Sequence, residues 1–307
     1  MVVSRVADQR TRVQEPLTAH ITEIPPRRWQ WIPRRWRDRG ALSDSHRLNA
    51  EMERQKPDLV WVRHSALATA AASILEVNAP CVEEWAAQGK IHRLRQAAHI
   101  ERQALLRADR VLAVSAWLAQ WVIDQGVPAD RVRHVPNGTE PQTLVSRELA
   151  QAALGTSGLV LGFVGSLKKW HGLEFLPELL DRMPEATVWI AGEGPVAAPL
   201  HPRIRTLGLV QPRDLPAVIA AFDVGLAPFP PTAAPWFCPL KVLSYRAQGV
   251  PVVATDIGDV AATVGNGGIV LPDRKVDAWV DAIRAAAALP RIPLVRTWDQ
   301  VVEEALA

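Results

Sequence analysis

From residue 58 onwards the chain alternates short, continuously apolar runs with segments of helical period. Residues 58–62 and 73–77 read as buried strands. Ile91, Leu94, Ala98, Leu105 and Ala108 then fall on one face of a long helix. A strand over 110–114 leads into a helix from Ser115 to about Gln125, closed by Gly126, and residues 131–138 run as a last strand into a turn. After a polar stretch at 139–157 a more regular alternation begins. Its strands are predicted at 159–164, 186–191, 204–207, 224–227, 250–254 and 268–271, with helices near 173–183, 214–222, 239–248, 259–264 and 276–288. In the last of these, Val276, Trp279, Val280, Ile283 and Ala287 keep the i, i+3, i+4, i+7, i+11 spacing. Apolar strands alternating with helices predict parallel sheets covered on both faces, in two α/β units joined near 139–157. Ligands of such folds bind at the carboxyl ends of the strands, and with two units the cleft between them is the expected place.

Residues 1–57 carry no such alternation. Within them, residues 27–39 hold six arginines (Arg27, Arg28, Arg34, Arg35, Arg37, Arg39) and three tryptophans (Trp29, Trp31, Trp36). A basic-aromatic cluster of this kind suits an anionic membrane surface. Pro25, Pro26 and Pro33 prevent one continuous amphipathic helix, and the competing reading is a solvated loop whose tryptophans pack back on the domain.

Composition narrows the class. At 307 residues, 48% hydrophobic and 22% charged, the chain is neither disordered, fibrous nor a coiled coil. A net charge of +3 tolerates anionic partners without calling for nucleic acid. Two distant cysteines, Cys81 and Cys238, fit free thiols in a reducing compartment. The polar N-terminus and the lack of an apolar run of ~18 residues predict a cytoplasmic protein, soluble or peripheral to a membrane.

Two segments are candidates for chemistry. Residues 159–172 read as strand, glycine turn at Gly165, basic loop with Lys168 and Lys169, and a helix start near Gly172 whose free amides favour phosphate. The spacing matches neither a dinucleotide nor a Walker motif. Residues 237–249 place Pro239 at a helix start, which leaves the amides of Leu240 and Lys241 unpaired for a diphosphate. Glu83 and Glu84 are adjacent on a helix and read as charges at its start. His64 and His134 read as packing residues.

Taken in order, residues 75–80, 111–115, 135–138, 162–172, 191–195, 239–241, 249–253 and 255–260 resemble the retaining glycosyltransferases of the GT-B fold, family-four (group 1) type. The resemblance is strongest over 105–290. It implies two Rossmann-like parallel-sheet domains facing a cleft: an abridged acceptor-side domain at 1–138 and a nucleotide-sugar domain at 139–290. A final helix in 291–307, opened by Trp298, would pack back towards the first domain. The implied reaction moves a sugar from a nucleotide diphosphate sugar to an acceptor hydroxyl, retains configuration and requires neither metal nor cofactor. The sequence contains no Asp-x-Asp.

Position by position, the resemblance puts Gly165, Ser166, Lys168, Lys169, His171, Glu193, Pro239, Leu240, Lys241 and Ser244 at the donor. Lys168 would act on the diphosphate, and Asn78 and Glu76 would face the transferred sugar. The family's arginine falls on Ser166, its second basic residue on His171, and two of its glutamates on Phe237 and Ser244. A third falls on Ala262. These departures keep a second reading open, a non-catalytic relative that partners another transferase or scaffolds a pathway. A sugar-nucleotide epimerase is disfavoured, because the matched segments are transferase-like. Residues 1–57 lack the family's opening strand and glycine-rich loop, so the expected first domain is shortened unless the start lies upstream.

Overall fold

A computed structural model describes residues 2–6, 20–24, 50, 53–54, 56–63, 72–87, 89, 91, 93–140, 142–156 and 158–307. The arginine-tryptophan segment 27–39 and His64 lie outside these residues. The chain divides into two compact units, 1–136 and 137–307.

In the first unit, β1 (Val2–Val6) pairs in parallel with β2 (His20–Ile24). The sequence reading assigned no strand here. Each run has only five residues and interleaves apolar positions with charge, too short for a period to declare itself. Strands β3 (Trp61–Val62), β4 (Ile74–Val77), β5 (Arg110–Ala113) and β6 (Val132–His134) form a parallel sheet in that order. Helices α1 (Cys81–Ala87), α2 (Leu94–Arg107) and α3 (Ala116–Asp124) connect its strands. Buried Glu101 on α2 explains itself: its carboxylate accepts the amides of Cys81 (2.9 Å) and Val82 (3.4 Å), capping α1 from a neighbouring helix. Ser115 caps α3 by accepting from the Leu118 amide at 3.2 Å.

In the second unit, β7 (Leu159–Val164), β8 (Ala186–Ala191), β9 (Ile204–Gly208), β10 (Val224–Ala227), β11 (Val252–Thr255) and β12 (Gly268–Leu271) form one parallel sheet. Its order is β12-β11-β10-β7-β8-β9. The chain builds outward from β7 to β9, then returns to lay β10 against β7 from the other side. That is the doubly wound order with its switch point between β7 and β10. Alternate residues of β7 feed two cores. Leu161 and Phe163 pack with Leu176, Val188, Ile190, Trp279 and Ile283, while Val160 packs with Trp189, Phe222, Tyr245 and Val252. These parallel sheets are the fold class expected from the sequence.

Two helices of this unit differ from the reading. Helix α4 (Arg147–Ala153) occupies the supposedly polar stretch. It buries a polar anchor instead of an apolar stripe. Asp223 accepts the Val160 amide (2.7 Å), forms an ion pair with Arg147 and meets the Gln151 amide, which also donates to Ala221 O (2.9 Å). Helix α5 (Leu176–Asp181) starts later than predicted, because two short 3₁₀ turns, Lys169–His171 and Leu173–Phe175, precede it. Helices α6 (Leu215–Ala220), α7 (Leu240–Ala247), α8 (Val260–Val264) and α9 (Val276–Ala287) follow. The last helix, α10 (Trp298–Leu306), opens with a Thr297–Gln300 capping box and belongs to this unit, where Thr139 N donates to Arg296 O.

Tyr245 ties α7 to the two central strands. Its ring fits only because β10 has glycine at 225, where a Cβ would lie 2.5 Å from the ring. Its hydroxyl accepts the Val164 amide at 2.9 Å and lies within donating reach of Gly162 O (3.4 Å) and Leu226 O (3.3 Å). Tyr245→Phe leaves that amide unpaired, and the expected loss is about 1–3 kcal/mol of unfolding free energy. Urea denaturation of the two proteins measures it.

Candidate functional site

At the carboxyl end of β7 the backbone turns through Gly165, whose φ of +139° is open to glycine and strained for other residues. The following loop is laced to the loop after β8. Gly165 N donates to Ala191 O (3.0 Å), Leu167 N to Glu193 O (3.1 Å) and Val196 N to Leu167 O (3.2 Å). A Cβ on Gly192 would sit 2.0 Å from Gly165 O, so the approach excludes any side chain there. Glu193 thus works through its carbonyl, and its side chain is exposed. The loop then makes the 3₁₀ turn at Lys169–His171 and reaches Gly172, left-handed at φ +68°. No α-helix begins at Gly172, contrary to expectation, since the left-handed residue breaks the run and α5 opens four residues on. One helix start, not two, faces this place.

That start is α7. Pro239 precedes it with φ −80° and ψ 73°. The Leu240 amide, expected to be free, turns back onto Cys238 O at 2.9 Å. Among the described residues, the amides of Ser166 and Lys241 have no acceptor. Between loop and helix lies a cavity of 370 Å³, lined by Val164, Gly165, Ser166, Trp170, His171, Phe237, Cys238, Pro239, Leu240, Lys241 and Ser244. The geometry therefore gathers Gly165, Ser166, His171, Pro239, Leu240, Lys241 and Ser244 at one place. Lys168, Lys169 and Glu193 belong to the flanking loops and do not line it. Val164, Trp170, Phe237 and Cys238 also line it and were not among the expected site residues. The 3₁₀ turn brings the exposed Trp170 to the cavity, and no sequence period announces such a turn.

The cavity contains one ammonium group and no carboxylate. Lys241 Nζ lies 4.7 Å from the ring centre of Phe229 and 5.4 Å from that of Phe163. Burial pushes its pKa down to about 7. His171 is almost fully buried and packs near Phe163, Trp170 and Phe229. Burial, then the Lys241 charge, lowers its pKa to about 4, against the opposing bond from Nδ1 to Ser166 O (2.5 Å). The ring is therefore neutral near pH 7, with Nδ1–H the donor. Lys168 Nζ stands over the Trp170 ring at 4.7 Å. The Cys238 thiol is pushed up by burial, partly offset by hydrogen bonds from Asn137. Ser244 Oγ donates to Leu240 O at 3.1 Å, so its proton is used within the helix. An uncompensated cation, two free amides and a helix start make a receptor for a compact anion.

The first unit holds Glu76 and Asn78 at the end of β4. The Glu76 carboxylate accepts from Trp61 Nε1 (3.1 Å) and Asn78 Nδ2 (2.9 Å) and pairs with Arg63 Nε (2.9 Å). Among the described residues, no three His, Cys, Asp or Glu side chains cluster as a metal site would require, and no helix is long and apolar enough to cross a membrane.

Comparison with known proteins gives a consistent set. A family model described as "Glycosyl transferases group 1" matches residues 158–288, and one described as "Glycosyltransferase Family 4" matches residues 2–143. The putative teichuronic acid biosynthesis glycosyltransferase TuaH of Bacillus subtilis is 28% identical over 172 residues, 51% of this chain and 43% of that protein. The 2-deoxystreptamine glucosyltransferase of Streptomyces kanamyceticus is 32% identical over 201 residues, 60% of this chain and 47% of that protein. The chain thus spans about half the length of these relatives. Among solved structures, sucrose-phosphate synthase from Thermosynechococcus elongatus superposes with TM-score 0.75 at 16% identity, covering 99% of this chain and 86% of that one. Anabaena HepE in complex with UDP and glucose gives 0.61 at 18%, covering 88% and 76%. Both similarities are of fold, the GT-B fold.

The buried cation carries a cost in stability that can be read. Lys241 falls from 10.5 to about 7 on folding, so the unfolded chain binds more protons between those values and stability rises with pH across them. His171, lowered from 6.5 to about 4, adds a further loss on acidification through that window. Lys241→Met should raise unfolding free energy by a few kcal/mol (roughly 1.4 per pKa unit, less partial exposure) below pH 7. The gain should vanish towards pH 10.5. Denaturant melts across pH test both the sign and the window.

Proposed function

The chain belongs to the family-4, group 1 glycosyltransferases, and from that membership we propose that it transfers a sugar from a nucleoside diphosphate sugar to an acceptor hydroxyl with retention of configuration. The observation that carries this reading is the cavity at the β7–β10 switch point, which offers a lone ammonium and free amides to an anion and presents no opposing carboxylate. HepE, of the same fold, has been solved with UDP and with UDP-glucose.

In this reading the diphosphate lies between the β7 loop and the start of α7. As the glycosidic C–O bond to the diphosphate breaks, negative charge grows on the leaving oxygen. Lys241 and the amides of Ser166 and Lys241 meet that charge from fixed positions in an apolar setting, where each contact is worth more than in water. Neutral His171 contributes shape and its hydrogen bond to Ser166 O, which fixes the turn. The acceptor hydroxyl attacks from the face the diphosphate leaves, and its proton passes to the departing phosphate oxygen.

The lack of any carboxylate in the cavity also suits a relative that binds a nucleotide without transfer, so binding and turnover are measured separately. Calorimetry with UDP, GDP, ADP and dTDP should find at least one ligand. Lys241→Ala should weaken it roughly 10- to 100-fold, the worth of a charge-assisted hydrogen bond. Lys168→Ala should change it less than about threefold, as befits a half-buried charge outside the cavity lining. Bound nucleotide should slow alkylation of Cys238 and leave Cys81 unaffected. Failure of all four to bind at millimolar concentration overturns the reading; binding without donor consumption leaves the non-catalytic alternative.

A further inference from the structure

We propose that diphosphate binding in this cavity is coupled to proton uptake, with Lys241 the group that gains the proton. The inference rests on the reading of the cavity as the diphosphate site and concerns how that site is regulated.

The surroundings of the Lys241 nitrogen set its charge. On the sheet side stand the faces of Phe163, the penultimate residue of β7, and Phe229, just past β10. The β7 loop contributes His171, which is neutral and buried, and Lys168, whose charge helps to keep that imidazole neutral. The segment before α7 contributes Cys238, whose thiol is held protonated by burial; Asp259 and Arg296 act on that thiol. On α7 itself, the Tyr245 hydroxyl is committed to the Val164 amide and also has its ionisation disfavoured by burial, and Ser244 is bonded back to Leu240 O. Every titratable neighbour lining the cavity is thus neutral or positive. Two aromatic faces return only part of the hydration an ammonium gives up on burial.

A cation so placed sheds its proton near neutral pH, and its value of about 7 agrees with the geometry. A nucleoside diphosphate brings two or more negative charges to the same place. An opposite charge within hydrogen-bonding distance restores the preference for ammonium. Each molecule that is neutral when free must then collect one proton from solution as the ligand enters. The sign follows from linkage: affinity is flat where free Lys241 is already charged, and falls as pH rises above about 7, by up to tenfold per unit. A phosphate monoester loses its last proton near pH 6, so measurements above pH 7.5 keep the ligand's own titration out of the way.

Isothermal titration of the full chain with the tightest of the four diphosphates, at pH 8 in Tris and in HEPES, separates binding heat from buffer ionisation heat. The expected result is uptake of close to one proton per site, with affinity falling several-fold between pH 7.5 and 8.5. Lys241→Arg, whose guanidinium stays charged, should bind with uptake near zero and a flat pH profile. Should the larger side chain not fit, Lys241→Met serves instead, binding more weakly and again without uptake. Wild-type binding with equal heats in the two buffers overturns the inference and leaves the reading of the cavity intact. Uptake that survives in both variants overturns the assignment to Lys241. If no diphosphate binds, the reading of the cavity fails and the inference falls with it.

Discussion

The pairing of β7 with β10 is the constraint on which the second unit depends. These strands are some sixty residues apart in the chain, and their parallel register joins Leu161 to Val224 and Gly162 to Gly225. The two glycines sit side by side for a physical reason. A Cβ at 162 would overlap the Phe222 ring, and one at 225 would overlap Tyr245. The strand pair is bare enough there for two aromatic rings to lie against it edge-to-face, 6.3 Å apart. Tyr245 then fastens α7 by its hydroxyl to the final amide of β7, and so sets the height at which Lys241, one helical turn earlier, meets the β7 loop. The cavity is a consequence of that fastening.

The same fastening accounts for the electrostatics. Lys241 is drawn between Phe163 and Phe229 because its helix is anchored there, not because a carboxylate attracts it. Its perturbed ionisation records a cation held in place by packing elsewhere. Sites that bind anions face a conflict, since the charge that grips the ligand is unwelcome before the ligand arrives. Many proteins resolve it with a nearby acid. On the proposed reading the cation here is instead conditional on the ligand, and the adjacent imidazole stays neutral so that the two do not compound the cost.

The first unit follows a different logic. Several of its described polar side chains make fixed contacts: Glu101 caps a neighbouring helix, Arg131 donates to the Leu106 and Ala108 carbonyls at the end of α2, and Glu76 is shared among the side chains of Trp61, Arg63 and Asn78. Groups so engaged position a strand end well. The residues that line the cavity all belong to the second unit.

What the sequence determined by itself was the periodic part. Strands such as 159–164 and 186–191, buried on both faces, are apolar but for Thr187, and α9 must show its buried stripe, so both are written in the order of residues. The resemblance of ordered short segments pointed to the family, and it placed seven residues that do line one cavity. What the sequence could not show depends on partners distant in the chain. Helix α4 is held by Asp223 and not by a stripe; the short β1 and β2 are visible only as a pair; and the expected helix at Gly172 gives way to a left-handed residue pressed against Pro228. Composition likewise gave no means of choosing among Lys168, Lys169 and Lys241, three identical side chains. Only the folded chain surrounds one of them with Phe163 and Phe229 and leaves it without a counter-charge, because burial and its electrostatic consequence are properties of packing in three dimensions.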